Sequence, residues 1–490
     1  MAEKGEDFFF LFLLKKKLLF FLSPEKLHLL VEFIYKNMTT RRNFIKKSLS
    51  ASFGLIVAPS IVPASVFGAN APSNRINIGA IGTGRISLTH DIPGVWKYDF
   101  ARIIAVADLD KNRVADAKKR VEEYYSKKEG KPYSGVTAYD DYRELLLNKD
   151  IDAVLISTPD HWHAKNAIDA VRAGKHVYLQ KPASLTIAEG RKMSDAVNAS
   201  GKILQIGSQQ RSMEQFRVAC ELVRSGRIGD LKTIEIRLPG DPAGGNAEEM
   251  LVPKNFNYEM WLGQTPYIPY TVDRVHPQQG YDRPGWLRCE QFGAGMITGW
   301  GAHHFDIAHW AMDKEYSGPI EISGKAEFPT SGLWDVHGNY ETEMLYDNGV
   351  IVRGITESKV KPNGVLFTGT KGWIFVNRGA YQASASDPTG PQSEGLQASD
   401  KKLLSPLGEE DVHLYKSSDH HGNWLESIRT ETKNITPAEV AHRSCTACLL
   451  QHIAMKLKRK LYWDPILERF KNDDEANSMI SRPHRPPYNF

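Results

Sequence analysis

From Asn74 to Ile206 the chain alternates short apolar runs with amphipathic stretches, and the first run ends in Gly82-Thr83-Gly84. This alternation constrains the fold more than any other feature, because strands alternating with helices build a parallel, doubly wound sheet. The strand-like runs are Ile76–Ile81, Ile103–Ala107, Ala153–Ile156, Val177–Leu179 and Ile203–Ile206. Thr186-Ile187-Ala188-Glu189 reads as a capping box that opens one of the helices between them. Gly82 permits a tight turn after the first strand, and Gly84 lets backbone approach a pyrophosphate at a helix N-terminus, with small Ser87 at the third glycine position. Asp108 ends the second run, 26 residues beyond Gly82. An acid there accepts hydrogen bonds from ribose hydroxyls and repels a 2′-phosphate, so NAD is favoured over NADP.

After residue 206 the pattern changes. A helix from Met213 to Arg224 leads to strand-like Leu231–Leu238, and later runs (Glu321–Glu327, Glu341–Tyr346, Val350–Ile355, Val365–Thr368, Gly372–Val376) alternate as antiparallel strands do. The expected architecture is α/β: a Rossmann dinucleotide-binding domain at 74–206, then an α+β domain at 207–376 with an open, largely antiparallel sheet that covers substrate or pairs subunits. Residues 377–410 read as a loop, and 411–490 as C-terminal helices and a tail that wraps back over the first domain. The last helix is expected at Pro437–Leu461.

The N-terminal segment reads as an address. Residues 8–22 are apolar but interrupted by three lysines, too short on either side to span a bilayer. Thr39-Thr40-Arg41-Arg42-Asn43-Phe44-Ile45-Lys46-Lys47, followed by a moderately apolar stretch and small residues near Gly68–Ala71, resembles a twin-arginine export signal. Residues 38–71 are therefore expected to be a cleaved signal peptide delivering a soluble periplasmic protein through the twin-arginine machinery. Met38 is the expected native start, with 1–37 an upstream extension, disordered or membrane-associated. Ten Lys/Arg against five acids in residues 1–47 leave the rest of a +4 chain nearly neutral, which argues against nucleic acid as a partner. Four cysteines are too few for a disulfide framework, and Cys445-x-x-Cys448 lies in a helical stretch with no second pair to complete a zinc site.

Two further segments are more specific. One is Ser157-Thr158-Pro159-Asp160-His161-Trp162-His163, followed by Ala173-Gly174-Lys175-His176-Val177-Tyr178-Leu179-Gln180-Lys181-Pro182; the other is Gly293-Ala294-Gly295-Met296-Ile297-Thr298-Gly299-Trp300-Gly301-Ala302-His303-His304-Phe305-Asp306. In this order and spacing the chain resembles the Gfo/Idh/MocA (glucose–fructose oxidoreductase / inositol 2-dehydrogenase) family over roughly residues 74–310.

The resemblance implies an enzyme that moves a hydride between tightly bound NAD and a secondary hydroxyl or ketone of a sugar, glycoside or polyol. It assigns cofactor binding to Gly82, Gly84, Arg85, Ile86, Asp108, Ser157, Thr158, Pro159, His163, Gln180 and Lys181, and catalysis to Lys181 and His303. Gln180 stands where the family carries glutamate, and Gly299 where its D-x-x-x-H spacing carries aspartate. Asp306, His304 or water are the candidates to take over that aspartate's work, and Arg211 and Trp300 are further candidates for relay or substrate contact. Trp261, Tyr267 and Trp286 are candidates for stacking on a sugar ring. No bound metal is expected, and a homo-oligomer is. Two other readings stand beside the dehydrogenase: a redox-neutral glycosidase working by transient oxidation and elimination, and a non-catalytic sugar- or cofactor-binding protein.

Overall fold

The computed structural model describes residues 75–379 and 395–490; the expected signal peptide and N-terminal extension lie outside them. The first sheet holds β1 (Ile76–Ile81), β2 (Ala101–Ala107), β3 (Thr137–Tyr139), β4 (Ala153–Ile156), β5 (His176–Leu179) and β6 (Leu204–Ile206). Their order is β3-β2-β1-β4-β5-β6, all parallel. This is the order of a dinucleotide-binding sheet, with its switch point between β1 and β4. All four residues of β4 are buried, the continuous apolar run that a strand covered on both faces needs.

The helices on this sheet are α1 (Ile92–Trp96), reached through a π-type turn at Ser87–Asp91, α2 (Lys111–Glu129), α3 (Tyr142–Leu147), α4 (Asp160–Arg172) and α5 (Ile187–Ser200). Asp110, Asp141 and Thr186 cap α2, α3 and α5 through their side-chain oxygens. The capping box at α5 closes on one side only. Thr186 accepts from the Glu189 amide, but the Glu189 carboxylate turns to Arg482 at 2.8 Å and His484 at 2.9 Å in the C-terminal tail. A buried carboxylate gains more from a cation than from one backbone amide. Arg485 adds bonds to the carbonyls of Gly263 and Thr265, so the tail is strapped across both domains.

The second domain begins with α6 (Glu214–Arg224) and is built on nine strands: β7 (Leu231–Leu238), β8 (Glu321–Ala326), β9 (Tyr340–Leu345), β10 (Ile351–Thr356), β11 (Gly364–Gly369), β12 (Gly372–Val376), β13 (Leu396–Ala398), β14 (Leu461–Asp464) and β15 (Arg469–Phe470). Their order is β13-β12-β11-β7-β10-β9-β8-β14-β15, with β7 and β10 the one parallel pair. In β9, Tyr340, Thr342 and Met344 face the core while Glu341 and Glu343 face out. Short helices α7 (Tyr258–Leu262) and α8 (Met296–Gly299) precede α9 (Gly301–Met312), and α10 (His420–Thr430), α11 (Ala438–Leu457) and α12 (Asp474–Ser478) follow the sheet.

Three expectations are corrected. The stretch read as a loop at 377–410 contains β13, which completes one sheet edge by pairing with β12. The last long helix stops at Leu457, and Leu461 belongs to β14, which pairs with β8. The tail region is thus partly sheet, which is not legible in the sequence because strands this short carry little periodicity. Helix α11 is buried over almost its whole length, including free Cys445 and Cys448. A helix buried on every side belongs between layers, and this one packs on both α5 and β8. Among the described residues no helix is long and apolar enough to cross a membrane.

One ion cluster bolts these layers together. Arg211, 2% exposed, grips Asp306 with two bonds of 2.7 and 2.8 Å, reaches Glu315 at 2.5 Å and lies over the Trp310 ring. Ser444 of α11 adds a bond to Asp306 at 2.8 Å. Arg211→Ala would leave two acids without their cation, at a cost of about 3–5 kcal/mol. Thermal unfolding of the full chain is expected to show that loss as a clearly lowered Tm.

Candidate active site

A single long cavity runs along the carboxyl ends of β1, β2, β4 and β5 and is closed on the far side by α7, α8 and α9. Gly82 turns the chain out of β1 with φ +80°, and a Cβ there would lie 2.9 Å from the backbone of Ser157 and Thr158. Only glycine allows the β1 and β4 turns to pass this close. At Gly84 the nearest atom to a would-be Cβ is Arg113 Nη1 at 3.9 Å, so the cavity side of the turn is open for a ligand to approach.

Asp108 accepts from the Thr83 amide at 2.7 Å and its hydroxyl at 3.1 Å, and from the Asp110 amide at 3.0 Å. It pins the glycine turn while lining the cavity. All the residues named for cofactor binding (Gly82, Gly84, Arg85, Ile86, Asp108, Ser157, Thr158, Pro159, His163, Gln180 and Lys181) line this one cavity, and so do His303 and Trp300. A cleft beginning at an open glycine turn, with an acid at the second strand's end, suits a dinucleotide at the switch point.

At the other end, Lys181 donates to the Gly299 carbonyl at 2.7 Å. His303 is 4% exposed, and burial, with the Arg378 and Lys181 charges, holds its pKa well below the usual imidazole range. It is a neutral base whose Nδ1 has no hydrogen-bond partner among the described residues. His163 has its ring nitrogens 2.6 Å from the Pro182 carbonyl and 2.8 Å from the Thr158 carbonyl, bracing the turn after β4 against the turn after β5; burial lowers it to about 4. Trp261 and Trp286 line the cavity, Tyr267 lies exposed away from it, and Arg378 stacks on Trp300.

Three candidates do not reach the cavity. Asp306 and Arg211 are consumed in the buried ion cluster. His304 points the other way, to Asn363 at 2.9 Å and Gln210 at 3.1 Å. On a helix, residues 303 and 304 are about 100° apart, so only one can face a given wall.

Sequence reading missed Asp91. It is buried and receives the Gln180 amide at 2.8 Å, the Ser157 hydroxyl at 2.7 Å, His90 at 3.0 Å and His421 at 3.2 Å. Burial works against its charge, but the hydrogen bonds of His421 and His90 outweigh it and keep Asp91 well below the carboxylate range. The negative charge missing at Gln180 is thus restored one contact away. Nothing in a π-turn marks such a residue in sequence. His90, Asp91 and His421 bring ligand atoms within 4.8 Å of one another, but Asp91 is already satisfied by donors and the cluster is a hydrogen-bond network.

Comparison with known proteins agrees with this geometry. The sequence model of the oxidoreductase family with an NAD-binding Rossmann fold matches residues 76–208, and its C-terminal alpha/beta domain matches 243–384 and 405–490. An alpha-N-acetylgalactosaminidase of Shewanella oneidensis is 30% identical over 207 residues, 39% of this chain and 44% of that protein. An uncharacterized oxidoreductase of Rhizobium meliloti is 29% identical over 160 residues, 33% of this chain and 44% of the relative. The chain thus spans under half the length of these curated relatives. Among solved structures, the WlbA dehydrogenase of Bordetella pertussis, in complex with NADH and UDP-GlcNAcA, is 15% identical with TM-score 0.56 over 80% of this chain and 99% of that one. Aldose-aldose oxidoreductase of Caulobacter crescentus, complexed with glycerol, is 19% identical with TM-score 0.53 over 79% and 99%. These two share the fold.

Gly82→Ala adds a methyl where backbone already stands and forces a residue into a positive φ. It is expected to weaken NAD binding at least about tenfold, as read by titration calorimetry on cofactor-stripped protein.

Proposed function

Because this chain belongs to the Gfo/Idh/MocA family of NAD-binding oxidoreductases, we propose that it moves a hydride between tightly held NAD and a secondary hydroxyl or ketone of a sugar, glycoside or polyol. The observation that carries this reading is the placement of Lys181 and neutral His303 in the same cavity as the glycine turn. Bound nicotinamide supplies the hydride acceptor or donor. Lys181, held by the Gly299 carbonyl, positions a substrate oxygen by charge and exchanges its proton. His303, uncharged because it is desolvated, is a second acceptor for that proton. Trp286 and Trp300 offer apolar faces for a sugar ring.

The twin-arginine-like segment at residues 38–71 supports export of the folded protein with its cofactor loaded. Outside the cytoplasm a free nicotinamide pool is absent, so NAD must stay bound and be reset in place by a second substrate or a reversed step. The partial similarity to an alpha-N-acetylgalactosaminidase favours a second reading, in which the same cavity oxidises a glycoside transiently, eliminates the aglycone, adds water and reduces the product. Net products separate the two: a keto sugar together with a reduced second substrate for the first, free sugar with no net redox change for the second.

Protein purified without added nicotinamide is expected to carry near-stoichiometric NAD(H) through dialysis, read by absorbance and mass spectrometry. An empty protein that also fails to bind added NAD would overturn the hydride-transfer reading. Lys181→Met and His303→Ala are each expected to lower kcat by about 10²–10⁴ in an assay for keto sugar or free sugar. Replacing Arg41 and Arg42 together by lysine is expected to leave a reporter fused behind residue 71 in the cytoplasm.

A further inference from the structure

A segment of the second domain touches both banks of the cofactor cleft. On one bank it is fixed to α4: His161 Nε2 lies 2.8 Å from the Trp261 carbonyl, Trp162 Nε1 donates to that carbonyl at 2.9 Å, and Gln264 donates to the His161 carbonyl. All four residues are buried. On the other bank the segment meets the end of β2 and the start of α2. Asp110 and Phe256 form an antiparallel bridge, in which the Lys111 amide donates to the Asn255 carbonyl and the Asn257 amide to the Leu109 carbonyl, both at 2.9 Å. The Asp110 carboxylate accepts from Asn255 Nδ2 at 2.8 Å and lies 3.0 Å from His276 Nε2. Arg113 donates to the carbonyls of Pro277 at 2.9 Å and Gly280 at 3.3 Å, and Tyr281 donates to Asp116 at 2.6 Å. Between these points Met260, Trp261 and His276 line the cavity. We propose that residues 255–281 are a clasp over the adenosine half of NAD, whose polar latch on Asp110 and α2 must open before the cofactor leaves.

The latch is built on the strand end that serves the adenosine ribose. Asp110 donates its amide to Asp108 at 3.0 Å, and Asp108 in turn accepts from the Thr83 amide of the glycine turn at 2.7 Å. An acid at the position of Asp108 takes ribose hydroxyls in a dinucleotide fold. The clasp therefore closes one residue contact away from the ribose site. On α2, Arg113, Asp116 and Arg120 are spaced to share one face, and both guanidinium groups lie over the Tyr281 ring, at 4.7 and 5.5 Å.

The two banks are held differently. The segment carries an aromatic core of its own, in which Phe256, Tyr258, Trp261, Tyr270 and Phe292 pack together apart from the two larger clusters. The bonds that tie it to β2 and α2 are hydrogen bonds and ring–cation contacts, with Leu109 packed against it. A unit with its own core and a polar edge opens locally at that edge, while the buried bonds to α4 act as the hinge. Burial works against the charge of Asp110, but the hydrogen bonds of His276 and Asn255 outweigh it and hold the carboxyl below the usual carboxylate range. The latch thus closes on a charged acceptor, which makes its bonds stronger than neutral ones.

The clasp rests on the tight hold of NAD proposed above and names what provides it. Asn255→Ala combined with Tyr281→Phe removes latch bonds at two residues that do not line the cavity. Full-length protein, stripped and reloaded with NADH, is mixed with excess NAD, and the fall in NADH fluorescence gives the release rate. The double variant is expected to release NADH at least about tenfold faster than wild type, with an association rate that is not lowered. In wild type, hydrogen exchange at the Lys111 and Asn257 amides is expected to slow at least about tenfold when NAD is bound, because those two bonds close the bridge. If the double variant does not fold, Tyr281→Phe alone and the wild-type exchange carry the test. Release rates equal to wild type, faster release with slowed association, or exchange that ignores NAD would each overturn the clasp alone. A wild type that binds no NAD would overturn the hydride-transfer reading and the clasp with it.

Discussion

The parallel pairing of β1 with β4 is the constraint on which the site depends. The two strands leave the sheet side by side and send their connections to opposite faces, which opens a cleft at their carboxyl ends. The cleft exists only because Gly82 carries no Cβ and can lie against the backbone of Ser157 and Thr158. From there several residues of the cavity wall are placed by contacts to the same two turns. Ser157 and Gln180 meet at Asp91, His163 ties the turn after β4 to Pro182, and Lys181 spans the cavity to Gly299.

Burial then sets the chemistry. Desolvation holds His163 and His303 below the usual imidazole range, against hydrogen bonds to two carbonyls at His163 and with the Arg378 and Lys181 charges at His303, and burial likewise raises Asp160. Asp91 shows the opposite outcome under equal burial, since four donors surround its carboxylate. Two buried acids are thus shifted in opposite directions according to the number of donors each receives. Arg211 and Asp306 show a third solution, a fully paired buried charge that holds layers together instead of reacting.

Much of this was legible in the residues. The glycine turn and Asp108 were read from motif and spacing, because each must sit at a strand end to work, while the roles of Ser157–His163, Lys181 and His303 came from the resemblance to the family. What escaped was what depends on long-range packing. Asp160 was read only as part of a motif, Asp91 not at all, and His304, Asp306 and Arg211 were placed near the chemistry although they face the interior. The short strands β13, β14 and β15 were also missed, being too short to show a period.

The sequence by itself determined the doubly wound sheet and the dinucleotide cleft, because local spacing and strand–helix periodicity are one-dimensional properties, and its resemblance to the family pointed to Lys181 and His303 at the end of that cleft. Only the tertiary structure decided which carboxyls are paired, which stay charged and which face the cavity. Those outcomes turn on burial and on donors brought from residues up to 330 positions away, and no local pattern records them.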